Sequence, residues 1–426
     1  MATHLTRALK HRNYRLFFSG QTVSLVGTWI TRIATSWLVY RLTHSVFLLG
    51  VVGFFGQIPT LLLAPFAGVL VDRWNRHRIL MVTQVLSMLQ SVALAALTFS
   101  GAITVVEILA LQMVQGVINA FDTPARQAFV VEMVTDRADL PNAIALNSSM
   151  VNASRIIGPS IGGIIIAAVG EGWCFALDAV SYLAVIASLV AMRLEKSPAR
   201  TAETRLLEEL RSGLHYVGSF PPVRESLFLI AIVGTMGMPY TVLMPAIAAN
   251  VLHGGAHTLG YLMTASGFGA LAGAFYLASR RSVLGLGRVM VIATAAFGAA
   301  LIAFSLSHRL WLSLLILPVV GGGMMVEMAS TNTILQTIVA DDMRGRVMSY
   351  YTMAFLGTAP LGSLFGGFLA DHIGPMNTVR IGGAACVVAA AIFALRLPLL
   401  RGHVRPIYLE RGILAAAEIE AGAKSL

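Results

Sequence analysis

The sequence predicts an all-α membrane protein whose twelve transmembrane helices form two pseudo-symmetric six-helix bundles. Three observations predict it. The 426-residue chain is 57% hydrophobic and only 12% charged, outside the usual range of soluble domains. Uncharged stretches of about 18 or more residues recur along it, each long enough to cross a hydrocarbon core roughly 30 Å thick as a helix. The longest polar segment, residues 192–226, divides these stretches six and six. Continuous apolar runs point to helices, because a membrane barrel shows short segments of alternating polarity.

In order, the expected spans are 16–40, 46–70, 79–100, 103–121, 142–169, 172–192, 226–250, 258–279, 289–307, 310–333, 347–370 and 378–398. The expected domains are an N-terminal bundle (1–192), a cytoplasmic linker (193–225), a C-terminal bundle (226–398) and a cytoplasmic tail (399–426). Within the linker, TRLLEELRSGLHYV has apolar residues at helical spacing opposite charges, which suits an amphipathic helix on the membrane surface. The basic N-terminus leads into a long span with no small-residue cleavage site, so the first span is read as retained.

A net charge of +10 raises the question of a nucleic-acid partner. The placement of the bases answers it. With both termini inside, 25 of the 30 Lys and Arg fall in cytoplasmic segments or at the inner ends of spans, and three (Arg41, Arg309, Arg380) in outer loops or at an outer span end. That asymmetry follows the positive-inside rule, so the charge reports orientation and no nucleic-acid partner is expected. A bacterial cytoplasmic membrane is the expected setting, with the bilayer as partner and a monomer as the expected state. Two isolated cysteines, Cys174 and Cys386, give neither a disulfide framework nor metal-ligand spacing. No metal and no cofactor are expected.

The halves resemble each other. RQAFVVEMVTDRADLPNAIAL (126–146) follows span four and TILQTIVADDMRGRVMSYY (333–351) follows span ten. Pro141-Asn142-Ala143 lies opposite Gly345-Arg346-Val347, and at nearly the same offset Asp122 falls opposite Glu327. Transporters are often assembled from such repeats, with the binding site between them.

Between spans two and three the chain reads Gly68-x-x-x-Asp72-Arg73-x-Asn75-Arg76-His77-Arg78. This resembles the inner-loop motif of the major facilitator superfamily, Gly-x-x-x-Asp-Arg-x-Gly-Arg-Arg/Lys. Asn75 replaces the second glycine, and Asn is the commonest non-glycine residue in a left-handed turn. Gly68 is expected to let two helices approach, and Asp72 to meet the positive end of a neighbouring helix. The resemblance implies a cytoplasmic latch in which Arg73 or Arg76 reaches Asp122, at the inner end of span four. The alternative is that these bases only mark the cytoplasmic side. Span five carries Gly158-Pro159-x-x-Gly162-Gly163, which resembles the core of the antiporter motif of that superfamily, with Ala145 and Ser154 where upstream glycines are usual. Small residues and a proline there suit a bend against span eight. The Arg-x-x-Gln-Gly of many exporters is replaced by Gln112-x-x-Gln115-Gly116, so that arginine's proton role does not carry over. Across residues 9–400 the chain is similar to the branch with the enterobactin exporter and macrolide-efflux proteins.

Ionisable groups inside spans are costly and are functional candidates by default. Arg32 lies about 22 Å and Arg155 about 20 Å of helical rise from the inner ends of spans one and five. Asp178 lies about 9 Å from the outer end of span six, so the three share a depth. Either Asp178 neutralises an arginine as a buried strut, or a spare guanidinium faces the pathway and attracts an anionic or catechol-like substrate. Glu327 is either the proton carrier or a second latch to Arg280 or Arg281. Trp37 is the aromatic expected to stack on a planar substrate. All ten histidines map to loops or span ends, which argues against a buried histidine relay.

No phosphate-binding Gly-Lys-Ser/Thr loop and no nucleophile constellation is visible, so the chain is expected not to be an enzyme. The resemblance implies a secondary transporter that exports a small amphipathic molecule such as a drug or siderophore, with protons as coupling ion. An uptake carrier or lysophospholipid flippase on the same fold, and a non-transporting membrane sensor, are the alternatives.

Overall fold

A computed structural model describes residues 6–193, 206–280 and 282–414. Among the described residues there are helices and no strands. In chain order the long helices are α1 (Arg12–Thr43), α2 (Val46–Arg73), α3 (Arg76–Phe99), α4 (Val105–Met133), α5 (Leu140–Val169) and α6 (Glu171–Val190). After a linker helix (Leu206–Ser219) come α7 (Pro221–Val251), α8 (Ala256–Ala278), α9 (Leu286–Ser305), α10 (Leu310–Ile338), α11 (Arg344–Ile373) and α12 (Pro375–Glu410). Among the described residues, 11 helices are long and apolar enough to cross a membrane. α1 is outside that set although it has 32 residues, because Arg32 and the Ser and Thr residues around it lower its hydropathy.

Local chemistry sets the boundaries. α1 stops where His44 takes a left-handed conformation (φ 50). Ser45 then caps α2 by accepting from the Leu48 N–H at 3.2 Å. Asn75 does not adopt the left-handed turn its place in the motif suggested. Its φ is −69 and its Oδ1 caps α3 by accepting from the Arg78 N–H at 3.0 Å. A short polar side chain serves a helix start as well as glycine serves a turn. Thr104 and Glu107 form a capping box at the start of α4.

Proline reshapes the C-terminal half. α7 contains two π-helical segments, Val233–Gly237 and Ile247–Val251, bracketing a stretch that begins at Pro239 and contains Pro245. The Met238 N–H reaches back five residues to the Val233 carbonyl at 3.0 Å. A proline removes one N–H and crowds the carbonyl four residues earlier, and an extra residue in the turn relieves both. α11 shows the same feature at Met353–Gly357, ahead of Pro360.

The chain divides into two compact units. The first is Met1–Glu203, Thr241–Gly267 and Ser363–Pro375; the second is Thr204–Tyr240, Phe268–Gly362 and Met376–Leu426. The first therefore holds α1 to α6 whole with parts of α7, α8 and α11. Its core includes Tyr14, Phe17, Leu80, Phe129, Met133 and Leu189. The second has its own core, around Val223, Ile230, Met290, Leu335 and Phe393. Large apolar side chains stand open on both units, among them Val106 (71% exposed) and Leu395 (83%). On so many helices, exposed apolar surface of this kind is what a bilayer covers.

Candidate functional site

The first unit builds its site on a glycine contact between α1 and α5. A Cβ on Gly158 would lie 2.3 Å from the Cβ of Trp29, and one on Gly162 would lie 2.6 Å from Ile33. The two backbones therefore approach closely and bring Arg155 of α5 to the indole that Arg32 meets from one turn along α1 itself. The Arg32 guanidinium carbon lies 4.6 Å from the Trp29 ring centroid and that of Arg155 lies 5.3 Å from it. Each contact is a cation–π interaction worth about 0.5–2 kcal/mol. Arg32 is exposed and Arg155 and Trp29 are half-buried. Among the described residues no carboxylate meets Arg32. The strut alternative therefore does not form at Arg32. Asp178 is 1% exposed and accepts from Ser91 at 2.9 Å and more weakly from Ser181 at 3.4 Å. Trp37 is half-buried on α1, farther along the helix than the shared indole.

The antiporter-like segment also meets α8 inside the first unit. A Cβ on Gly163 would lie 2.8 Å from the Ala256 carbonyl oxygen, and one on Gly260 would lie 2.7 Å from that of Pro159. Ser160 and Thr264 share a hydroxyl–hydroxyl bond of 2.6 Å. Ser154, in place of an upstream glycine, is buried, and among the described residues its hydroxyl has no partner.

At the end of the first unit nearest the linker, the expected latch residues have other partners. Asp122, 7% exposed, accepts from Thr83 at 3.0 Å and Gln84 at 2.8 Å, and Arg126 of its own helix lies 3.5 Å away. Arg76 pairs with Glu132 at 2.7 Å. Arg73 is exposed, and the side chain of Asp72 lies outside the described residues. A Cβ on Gly68 would meet nothing within 4 Å. In this conformation Gly68 serves no close helix contact. Nearby, the turn before α5 places Asp139 among Lys10 at 2.6 Å, His11 at 3.0 Å and Arg7 at 3.8 Å. Hydrogen bonds from Lys10 and His11, and then the charges of Lys10 and Arg7, hold the Asp139 carboxyl below its ordinary value.

In the second unit Glu327 is fully buried on α10. Thr331, one turn on, donates to Oε1 at 3.0 Å. Among the described residues Oε2 has no partner, and neither have the hydroxyls of Ser330 and Thr294. The expected bond to Arg280 is absent: Arg280 donates to the Leu284 carbonyl at 2.8 Å and to the Tyr276 hydroxyl at 3.2 Å. Arg281 lies outside the described residues. No group of three or more His, Cys, Asp and Glu among the described residues is placed to hold a metal ion.

Residues 5–406 match the family described as transmembrane secretion effector, a branch of the major facilitator superfamily. The chain belongs to this family. It is 26% identical to the staphyloferrin A transporter of Staphylococcus aureus over 89% of this chain and 95% of that one. It is 27% identical to the multidrug efflux pump Tap of Mycolicibacterium fortuitum over 90% and 92%, and 23% identical to the enterobactin exporter of Citrobacter koseri over 93% and 94%. Among solved structures, it superposes on a bacterial homologue of the human lysosomal transporter Spinster, inward-facing and unoccupied, with a TM-score of 0.66 at 14% identity over 96% and 98% of the two chains. A POT family transporter in complex with 5-aminolevulinic acid gives 0.72 at 11% identity over 91% and 96%. Family and fold together make the chain a multi-pass membrane transporter of a small molecule, and not an enzyme.

The residues that sequence reasoning passed over are those that hold these charges. Thr83, Gln84, Ser87, Gln90 and Ser91 are all buried along α3. Ser91 serves Asp178, Thr83 and Gln84 serve Asp122, and Ser87 accepts from Gln115 at 3.3 Å. Their spacing of three, four and seven was visible as a polar stripe in an apolar span. A search restricted to charged residues does not register it.

Proposed function

We propose that this transporter exports a small amphipathic organic anion, a siderophore or an anionic drug, by alternating access coupled to inward proton flow. The observation that carries the reading is the pair of guanidiniums on Trp29. Two like charges on one ring repel each other, and an anion placed against them relieves the repulsion while a planar group stacks on the indole. The printed identities of the relatives, a staphyloferrin A transporter and an enterobactin exporter, support a siderophore as substrate. In this reading Arg32 and Arg155 bind the anion, Trp37 lines its path, and Gly158 to Gly163 seal one side of the pathway. Asp178 stays a hydrogen-bonded structural acid. Glu327 carries the proton, since a buried carboxyl whose second oxygen has no partner among the described residues has room for one. Asp72, Arg73, Arg76 and Asp122 form the latch in a state other than this one. The distribution of bases supports an orientation with both termini inside, and the bacterial relatives support a cytoplasmic membrane as its place.

The test uses inside-out vesicles and the siderophores staphyloferrin A and enterobactin. An acid interior should drive their accumulation, a protonophore should abolish it, and Arg32→Ala should remove it while the protein inserts normally. Accumulation driven only by the opposite gradient makes the protein an uptake carrier. Undiminished transport by Arg32→Ala takes Arg32 out of the site.

A further inference from the structure

The second unit contains a cleft that the transport reading does not use. It holds about 520 Å³ of empty space counting its open mouth. Pro222 at the start of α7, Leu286 at the start of α9, and Phe393 and Leu400 on α12 form apolar walls, all buried. Two bases, Arg288 and Arg401, line it and are exposed. The turn ahead of α9 is held close by two glycines. Gly285 has φ +78, and a Cβ on Gly287 would lie 2.8 Å from Leu397.

Of the neighbouring bases, Arg396 and Arg411 have partners. Arg396 meets Glu225 at 2.6 Å, and Arg411 meets the Val339 carbonyl at 3.0 Å and Asp341 at 3.5 Å. Among the described residues neither Arg288 nor Arg401 meets a carboxylate. The depth of the cleft can be read from α12. Its 36 residues span about 54 Å, well beyond a hydrocarbon core of roughly 30 Å. Leu395 and Leu399 are 83% and 62% exposed, so that length of helix faces acyl chains. Arg401 and Arg405 follow within one to two turns, where headgroups lie.

We propose that this cleft binds an anionic phospholipid, its phosphate held by Arg288 and Arg401 and one acyl chain lying along Leu286, Phe393 and Leu400. The charge complementarity decides the occupant: an apolar slot at the edge of the hydrocarbon with two unanswered guanidiniums suits a molecule with a chain and a negative head. The proposal rests on the membrane-spanning fold and not on export, direction or proton coupling.

The test is native mass spectrometry of the purified full chain in a neutral detergent, titrated with dioleoyl phosphatidylglycerol or dioleoyl phosphatidylcholine. Phosphatidylglycerol adducts should form at concentrations where phosphatidylcholine gives none. Arg288→Gln and Arg401→Gln should each weaken the adduct about fivefold and the pair about 25-fold, the effect of roughly one lost surface base apiece. Arg288→Lys with Arg401→Lys should retain most of it, which separates lost charge from misfolding. Val404→Trp, which fills the cleft and leaves both bases, should abolish it. Equal binding of phosphatidylcholine, or binding unchanged in the double glutamine variant, overturns the proposal. So does displacement of the lipid by millimolar inorganic phosphate alone, since the site would then be one for a free anion.

Discussion

The α1–α5 contact allows a prediction whose sign depends on position. Ala in place of Gly inside a helix is favourable by about 0.5–1 kcal/mol, because glycine loses more backbone freedom on folding. At Gly158 the new Cβ would lie 2.3 Å from the Cβ of Trp29 and 3.0 Å from the Val26 carbonyl oxygen. Neither atom is the free end of a flexible side chain, so α1 itself must move away. Overpacking of this kind costs about 1–3 kcal/mol, which outweighs the propensity gain. The shift also displaces the indole on which both guanidiniums rest. At Gly68 a Cβ meets nothing within 4 Å, so only the favourable term remains. Gly158→Ala should therefore lower the melting temperature in detergent and reduce transport at least tenfold. Gly68→Ala should leave stability equal or higher. Thermal unfolding by tryptophan fluorescence and substrate efflux in cells measure the two effects. A Gly158→Ala protein with unchanged melting temperature and full transport would show that α1 and α5 do not pack through this glycine.

Three further outcomes follow from the charged groups. The contribution of Asp139 is present above the ordinary carboxylate range and lost as pH falls through its lowered folded value; acid unfolding curves of the wild type and Asp139→Asn should therefore diverge above that value and merge below it. For the latch, Asp122→Arg should cripple transport and Arg73→Asp or Arg76→Asp in that background should restore part of it; if Glu132→Gln alone reproduces the loss of Arg76 and no reversal rescues, the Arg76–Glu132 pair is the working contact. Glu327→Gln keeps an acceptor for Thr331 and should leave folding and downhill substrate exchange intact while removing the dependence of transport on the pH gradient, whereas gradient-driven transport at the wild-type level would exclude Glu327 as proton carrier.

Much of the fold was legible because hydropathy and helix rise act along one dimension. Span positions and the similar depths of Arg32 and Arg155 follow from counting residues at a fixed rise. α1 was legible for the same reason even though its polar residues set it apart from the other helices. The proline-rich stretch of α7 was legible as a kink, but its form as π-helical turns was not. That form depends on which carbonyl each freed N–H finds, and several answers are sterically close in energy.

The site was less legible because partner choice depends on azimuth, which a list of charged residues does not contain. Asp178 shares its depth with two arginines, yet its bonds go to Ser91 and Ser181, since α3 packs on that face of α6. Arg32 instead meets Trp29 one turn back on its own helix, and the glycines that draw α5 against α1 bring Arg155 to the same ring. Those glycines had been read as a bend, and they also set the spacing between two cations. The same reasoning applies to Asp122 and Glu327, which match in the repeat and differ in surroundings. Asp122 has donors from a neighbouring helix, whereas Glu327 has one from its own. Pseudo-symmetry predicts where a residue sits, and the divergence of the neighbouring helix determines what it can do there. A repeat match in a transporter is therefore best tested by asking which of the paired acids has a polar stripe on the helix beside it.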